Sequence, residues 1–249
     1  MQPRTARRLY SLLLQAATPL YLARLWWRGR REPGYRERIG ERLGYHGEAI
    51  AAEAGNGPLV WLHAVSLGET RASAPLIAAL RERLPGLRLL LSCGTATGLE
   101  AGRALLREGD RQVWLPYDTP AATARFMRRF RPAVGVLMET ELWPNLLQAA
   151  DEAGVPMVLA NARLSQRSLD KGQRFSALLR PAVARLDAVL AQTDDDARRL
   201  AQAGARAVEV CGNLKFDVTP APAQLAQGRS WRALLAAQGV PAADAPEAA

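Results

Sequence analysis

The chain of 249 residues is poor in the groups that hold metals and disulfides. It has two cysteines, Cys93 and Cys211, and two histidines, His46 and His63. Two thiols cannot build a disulfide framework, and these four residues lack metal-site spacing, so a reducing compartment and no structural metal are expected. Aromatics make up only 6% of the chain and are scattered beyond residue 31. No stacking platform for a nucleic-acid strand is visible, so nucleic acid is not an expected partner. Acid is absent from residues 1–31, which carry seven arginines. Glycine-rich phosphate loops are missing too. Gly94-Thr95-Ala96-Thr97-Gly98 follows a strand-like run, but it has neither the Gly-Lys-Ser/Thr ending nor GxGxxG spacing.

What is present is apolar and basic. Hydrophobic residues are 49% of the chain, enough for a sizeable core. The net charge of +9 and a pI of about 10.5 point to an anionic partner such as a phosphorylated substrate or an anionic lipid. Between Leu9 and Trp27 the only charge is Arg24, close to the ~20 residues that cross a bilayer. Gln15, Thr18 and Pro19 weaken it as a spanning helix, and no small-residue cleavage site follows it. Tyr10, Tyr21, Trp26 and Trp27 lie near its ends, where aromatics favour the headgroup level. Residues 1–31 are therefore expected to anchor the chain, spanning the membrane or lying in its interface, with the remainder cytoplasmic.

Residues 32–47 carry Tyr35, Ile39, Leu43 and Tyr45 at near-helical spacing, and residues 47–57 read as a loop. From Pro58 onward strand, turn and helix alternate. Expected strands are Leu59–Val65, Leu87–Cys93, Gln112–Leu115, Val134–Met138, Val155–Ala160, Ala188–Ala191 and Ala207–Val210. Expected helices carry the Leu76, Ile77, Leu80 and Leu84 stripe, then span about 97–107, follow Pro120, run through Ala150, cover roughly 172–184, and run from Asp194 to Ala203. Several strands are continuously apolar, as in a parallel sheet covered on both faces. The fold class is therefore α/β, a doubly wound Rossmann-like domain over residues 32–218, with ligands expected at the strand carboxyl ends. Residues 219–249, rich in Ala, Pro and Gln, read as linker and tail with one possible helix over Ser230–Gln238.

Four strand ends carry chemistry. Glu69, in His63-Ala64-Val65-Ser66-Leu67-Gly68-Glu69, can accept a proton from a substrate hydroxyl. The alternative is a capping box, Ser66-x-x-Glu69. That box would put Pro75 well inside a helix, at a cost of ~3 kcal/mol, so a later start near Thr70–Ser73 that leaves Glu69 free is expected. Glu139 ends the fourth strand, with Thr140 as cap and Glu141 and Pro144 in the first turns of the next helix. Asn161 and Arg163 follow the fifth strand, where an arginine can hold phosphate or carboxylate or pair with a nearby acid. Lys215 follows the seventh and can offset charge on a leaving phosphate or simply face solvent. Thr95 reads as a helix cap, with Thr97 beside it. Asp194-Asp195-Asp196 reads as helix N-terminal acids rather than a metal motif.

Taken in order, His63–Thr70, Pro116-Tyr117-Asp118, Glu139–Leu146, Asn161–Ser165 and Gly212–Asp217, preceded by Arg24-Leu25-Trp26-Trp27-Arg28-Gly29-Arg30, closely resemble the 3-deoxy-D-manno-octulosonic acid (Kdo) transferase family of lipopolysaccharide inner-core synthesis. The resemblance spans about residues 8–235. It implies the N-terminal half of a GT-B glycosyltransferase. It also implies transfer of Kdo from CMP-Kdo to a lipid A precursor (lipid IVA) at the cytoplasmic face of the inner membrane, inverting, with no metal and no cofactor. Glu69 falls on the family's general base, and Glu139 and Lys215 fall on positions that stabilise the transition state. Ser66, Gly68, Arg71, Thr95, Thr97, Asn161 and Arg163 are the expected acceptor contacts, although the family's threonine-rich loop is altered here to Ser92–Gly98. Arg30, Arg31, Arg36, Arg38 and Arg71 are candidates to meet a bisphosphorylated lipid. A C-terminal donor domain is expected to be absent from this chain, which reads either as a truncated transferase or as one half of an enzyme whose donor domain is a separately encoded partner. The competing reading is a membrane-docked lipid A precursor binder without catalysis.

Overall fold

Strand β1, Leu59–Ala64, is buried at every position, because alternate side chains feed two separate cores. Leu59 and Trp61 join one cluster with Phe126, Leu146, Leu159 and Val183; Leu62 and Ala64 join the other with Ile77, Leu91, Trp114 and Val136. The same alternation runs through β2 (Arg88–Cys93), β4 (Val134–Met138) and β5 (Met157–Ala162). A strand feeding two apolar layers has no face left for polar residues, so the runs read as continuous.

The structure, a computed structural model, describes residues 2–47, 57–217 and 222–238. Among them, β3 (Arg111–Trp114), β6 (Ala188–Ala191) and β7 (Val208–Val210) complete a parallel sheet of order β3-β2-β1-β4-β5-β6-β7. That is the doubly wound arrangement expected from the sequence, and its order reverses between β1 and β4. One compact unit covers residues 1–215 and a second covers 216–249. The described helix of the second is α11, Pro222–Ala237, longer than the stretch expected there.

The first unit opens with α1, Pro3–Arg28. Its inward residues dock on the sheet domain: Tyr10 Oη donates to Asp118 (2.9 Å), Ser11 Oγ to Asn145 Oδ1 (3.0 Å), and Leu25 packs into the second core. Its outward residues Leu9, Leu12, Leu13, Leu20 and Trp27 stay exposed. No helix among the described residues is long and apolar enough to cross a membrane. A short 3-10 turn (Pro33–Arg36) and α2 (Ile39–Arg42) follow, where the near-helical spacing of residues 32–47 suggests a single short amphipathic helix.

The β1–α3 connection departs from expectation. Helix α3 is Leu67–Ala72, capped by Ser66, and α4 is Ala74–Arg83. The capping box and Pro75 coexist because the helix breaks at Ser73, whose Oγ donates to Thr70 O (2.8 Å), so Pro75 falls in the first turn of α4. Helix α5, Ala96–Arg103, is shorter than predicted. Helices α6 (Pro120–Phe130) and α7 (Pro144–Glu152) follow their prolines. The helix expected over 172–184 is two, α8 (Gln166–Gln173) and α9 (Ser176–Val183), and α10 is Asp194–Ala203.

Candidate active site at the strand carboxyl ends

Glu69 is not free. Ser66 Oγ accepts its backbone N–H (3.3 Å) and donates to Oε1 (2.8 Å), while Val65 N–H donates to Oε2 (2.9 Å). The box that the sequence reading set aside therefore forms. It fixes the carboxylate one residue beyond the end of β1 without exhausting it, since a carboxylate offers about four lone-pair sites and two are taken. Room for a substrate hydroxyl remains. Gly68 is exposed, where an added Cβ would meet only Ser66 Oγ at 3.9 Å, and Arg71 is exposed with no ion pair among the described residues.

The neighbouring β2–α5 loop is shaped by packing. A Cβ on Gly94 would lie 2.8 Å from Val65 Cγ1, and one on Gly98 would lie 3.3 Å from Val65 O. Thr95 caps α5, accepting Gly98 N–H (3.1 Å) and donating to Val65 O (3.1 Å). Its hydroxyl thus holds the β1 loop in place. Thr97 is exposed, with its hydroxyl 3.4 Å from that of Thr95. Under both loops His63 is fully buried, its Nδ1 within 2.9 Å of Ser92 Oγ and 3.0 Å of Ser92 O; burial pushes its pKa down to about 4, so the ring is neutral.

Across the switch point the ends of β4 and β5 form a second cluster. Glu139 follows β4 with φ of 59°, and Asn161 near the end of β5 has φ of 51°. Left-handed backbone is costly for non-glycine residues, ~1–2 kcal/mol each, and here it aims functional groups. Glu139 N–H still donates to Ala160 O (2.9 Å), extending the ladder, while its nearly buried carboxylate meets Arg163 (2.8 Å) and Lys215 (3.8 Å). Both cations are more than half exposed. One acid bracketed by two solvent-facing cations leaves a net positive corner suited to a phosphate or carboxylate. Asn161 sits where the β5–β6 register shifts, a bulge of the kind that re-aims side chains beside active sites. Its Oδ1 accepts Leu214 N–H (3.1 Å), which holds the segment bearing Lys215, and its buried Nδ2 has no partner.

Glu141 links the two clusters, and the sequence reading missed it. Helix α7 begins at Pro144, with Trp143 as its N-cap residue and no side-chain cap, so neither Thr140 as cap nor Glu141 in the first turn is correct. Pro144 at the first helical position was the available signal. Glu141 instead lies in the loop, where burial, then the charges of Glu69 and Glu139, push its pKa up to about 7. Asp194, Asp195 and Asp196 form the first turn of α10, and Asp196 also holds Leu164 N–H (2.9 Å) and Thr193 Oγ1 (2.6 Å). Among the described residues no group of three His, Cys, Asp or Glu is placed to hold a metal ion.

The family profile described as 3-Deoxy-D-manno-octulosonic-acid transferase (kdotransferase) matches residues 37–218. A 3-deoxy-D-manno-octulosonic acid transferase of Bordetella pertussis is 49% identical over 234 residues, 90% of this chain and 53% of its own. One from Haemophilus influenzae is 32% identical, covering 84% of this chain and 49% of its own. The chain thus spans about half the length of these curated relatives. Among solved structures, a UDP-GlcNAc 2-epimerase from Neisseria meningitidis bound to UDP-GlcNAc covers 68% of this chain and 53% of its own at a TM-score of 0.48 and 16% identity, too distant to bear on the chemistry.

Proposed function

Because this chain belongs to the 3-deoxy-D-manno-octulosonic-acid transferase family, we propose that it forms the acceptor-side half of a GT-B glycosyltransferase that moves Kdo from CMP-Kdo to a lipid A precursor. The observation that carries the reading is the pairing of a fixed carboxylate, Glu69, with the Glu139–Arg163–Lys215 corner at one edge of the sheet. In the proposed step the acceptor hydroxyl gives its proton to Glu69 and its oxygen bonds the anomeric carbon of Kdo. The bond from that carbon to the CMP phosphate oxygen breaks, and CMP leaves with the electron pair. Attack opposite the leaving group inverts the centre.

Charge supports this division of labour. A leaving phosphate gains negative charge, and preorganised cations stabilise it more than water does. Glu139 keeps Arg163 and Lys215 extended and converged rather than splayed. Ser66 and Val65 hold Glu69 in one orientation, which supports in-line attack. The proposal requires neither metal nor cofactor.

The exposed apolar face of α1, flanked by Arg4, Arg8, Arg24, Arg28, Arg30 and Arg31, supports docking on anionic lipid at the cytoplasmic face of the inner membrane. Trp26 reinforces it, with Arg30 and Arg36 over its ring at 5.0 and 4.7 Å.

The test is Kdo transfer to a lipid A precursor on adding the C-terminal half of the Bordetella pertussis relative as a separate polypeptide. We expect transfer that Glu69→Ala abolishes and Lys215→Ala or Arg163→Ala reduces by ~10²-fold or more. Intact lipid binding with no transfer in any combination would leave a non-catalytic binder of the lipid precursor and end the enzymatic reading.

A further inference from the structure

Between α1 and the carboxyl ends of β1–β3 lies a cavity of about 300 Å3. At about 30 Å3 for each water-sized group, it has room for a chain of about ten carbons. Leu14, Thr18 and Tyr21 of α1 form its roof, and Leu115 and Trp143 are among its walls. Leu115 also belongs to one sheet core and Trp143 packs against it, so the core itself forms one wall of the space.

The floor is polar in an unusual way. His63 is wholly buried, yet its Nε2 has no hydrogen-bond partner. Arg42 is nearly buried and stacks 3.9 Å from the Trp114 ring; it donates to Gly94 O (3.2 Å), but its Nε has no partner either. Buried polar atoms left unpaired are costly, and a ligand hydroxyl relieves both, accepting from Arg42 Nε–H and donating to the neutral His63 Nε2. Asp118 and Tyr117 also border the space. Asp118 is committed elsewhere, accepting from Tyr10 Oη and the Asn145 and Leu146 amides at 2.9, 3.1 and 2.7 Å.

Location ties the cavity to the candidate chemistry. Val65 lines it, and Val65 N–H is a donor to the Glu69 carboxylate. The roof helix turns its opposite, apolar face outward at Leu9, Leu13 and Leu20. A lipid held at that outer face has one helix diameter to cross to reach the cavity, ~10 Å.

We propose that this cavity is an acyl-chain subsite. It takes one fatty-acyl chain of the acceptor lipid, with an oxygen function of that chain meeting Arg42 Nε and His63 Nε2, and so sets the distance from lipid chain to Glu69. The assignment of the chain to the acceptor rests on the transfer reading above; the presence of an acyl subsite does not.

The experiment has two arms on the full chain. In the first, dodecanoic acid carrying a diazirine on its chain is photolysed with the protein and the label is mapped by mass spectrometry. Label is expected on the segments holding Leu115 and Trp143, roughly tenfold weaker in Thr18→Trp, which fills the roof. Label confined to Leu9, Leu12 and Leu13, or undiminished in Thr18→Trp, overturns the subsite. In the second arm the reconstituted transfer is assayed with an acylated acceptor and its deacylated counterpart. Thr18→Trp is expected to raise KM about tenfold for the acylated acceptor alone, with kcat unchanged. An equal KM effect on both, or none, overturns the assignment to the acceptor chain. If transfer itself fails while the cavity labels, the Kdo reading falls and the acyl subsite stands.

Discussion

Replacing Glu141 with glutamine should make the chain more stable, and only when the pH is high enough. In the fold, burial and then the charges of Glu69 and Glu139 carry the Glu141 pKa from 4.5 to about 7. The folded value lies above the unfolded one, so folding favours the protonated acid. Below about pH 4.5 both states hold the proton and the group has no effect. Between 4.5 and 7 the unfolded chain releases its proton first, and stability falls. Above 7 both are ionised and the loss is constant. At about 1.4 kcal/mol per tenfold difference in proton affinity, the full loss is on the order of 3 kcal/mol. Glu141 keeps partial solvent contact, which trims it to roughly 2 kcal/mol. Glutamine has the same shape and cannot ionise. Urea unfolding followed by tryptophan fluorescence at pH 5, 6, 7 and 8 measures the difference, and pH effects common to both proteins cancel. The variant should gain most of its advantage between pH 5 and 7 and then level off. A pH-independent difference, or a wild type that gains on the variant as pH rises, would refute a Glu141 carboxyl raised by burial and by its neighbours.

Asp118→Ala strands the Tyr10 hydroxyl and two backbone amides; at ~1–2 kcal/mol each it should cost about 3–6 kcal/mol, with Tyr10→Phe nearer ~1–2 kcal/mol, both read from urea midpoints. Limited proteolysis should cut α1 sooner in both. Leu12→Glu and Leu20→Glu, on exposed positions, should each weaken cosedimentation with anionic vesicles by about tenfold or more while leaving the thermal midpoint within about 1 °C. Thr95→Ala removes the cap of α5 and the bond to Val65 O; a loss of about 1–2 kcal/mol in urea unfolding is expected.

The sheet was legible because each strand feeds two apolar layers, and runs such as Val134–Met138 and Ala188–Ala191 then have no polar interruption to blur their ends. Strand β5 was read two residues early, Val155–Ala160 against Met157–Ala162. Val155 is buried without pairing, and Asn161, a polar residue in left-handed conformation, looks like the end of a strand rather than part of one. The helix over 172–184 hid a break between Gln173 and Ser176 that no proline or capping pattern announced. At the site, strand-end position located Glu69, Glu139, Asn161, Arg163 and Lys215, but not their relations. Whether Glu69 was free or boxed depended on where one helix became two. The convergence of Glu139, Arg163 and Lys215 depended on three connections that approach one another only across the sheet. Arg42 lies far from any motif in sequence; its place beneath the β2 loop comes from stacking on Trp114.

The docking of α1 has a consequence for how the chain is made. Ser11 binds Asn145, 134 positions later. At about 5–20 residues per second, the helix leaves the ribosome roughly 7–27 s before that partner exists. During that interval both its faces are uncovered. On the proposed lipid docking, delivery to the membrane precedes folding, and the sheet domain assembles against a helix already on lipid. Synthesis in the presence of vesicles, with chain length arrested before Asn145, would then recover the nascent protein with the lipid fraction.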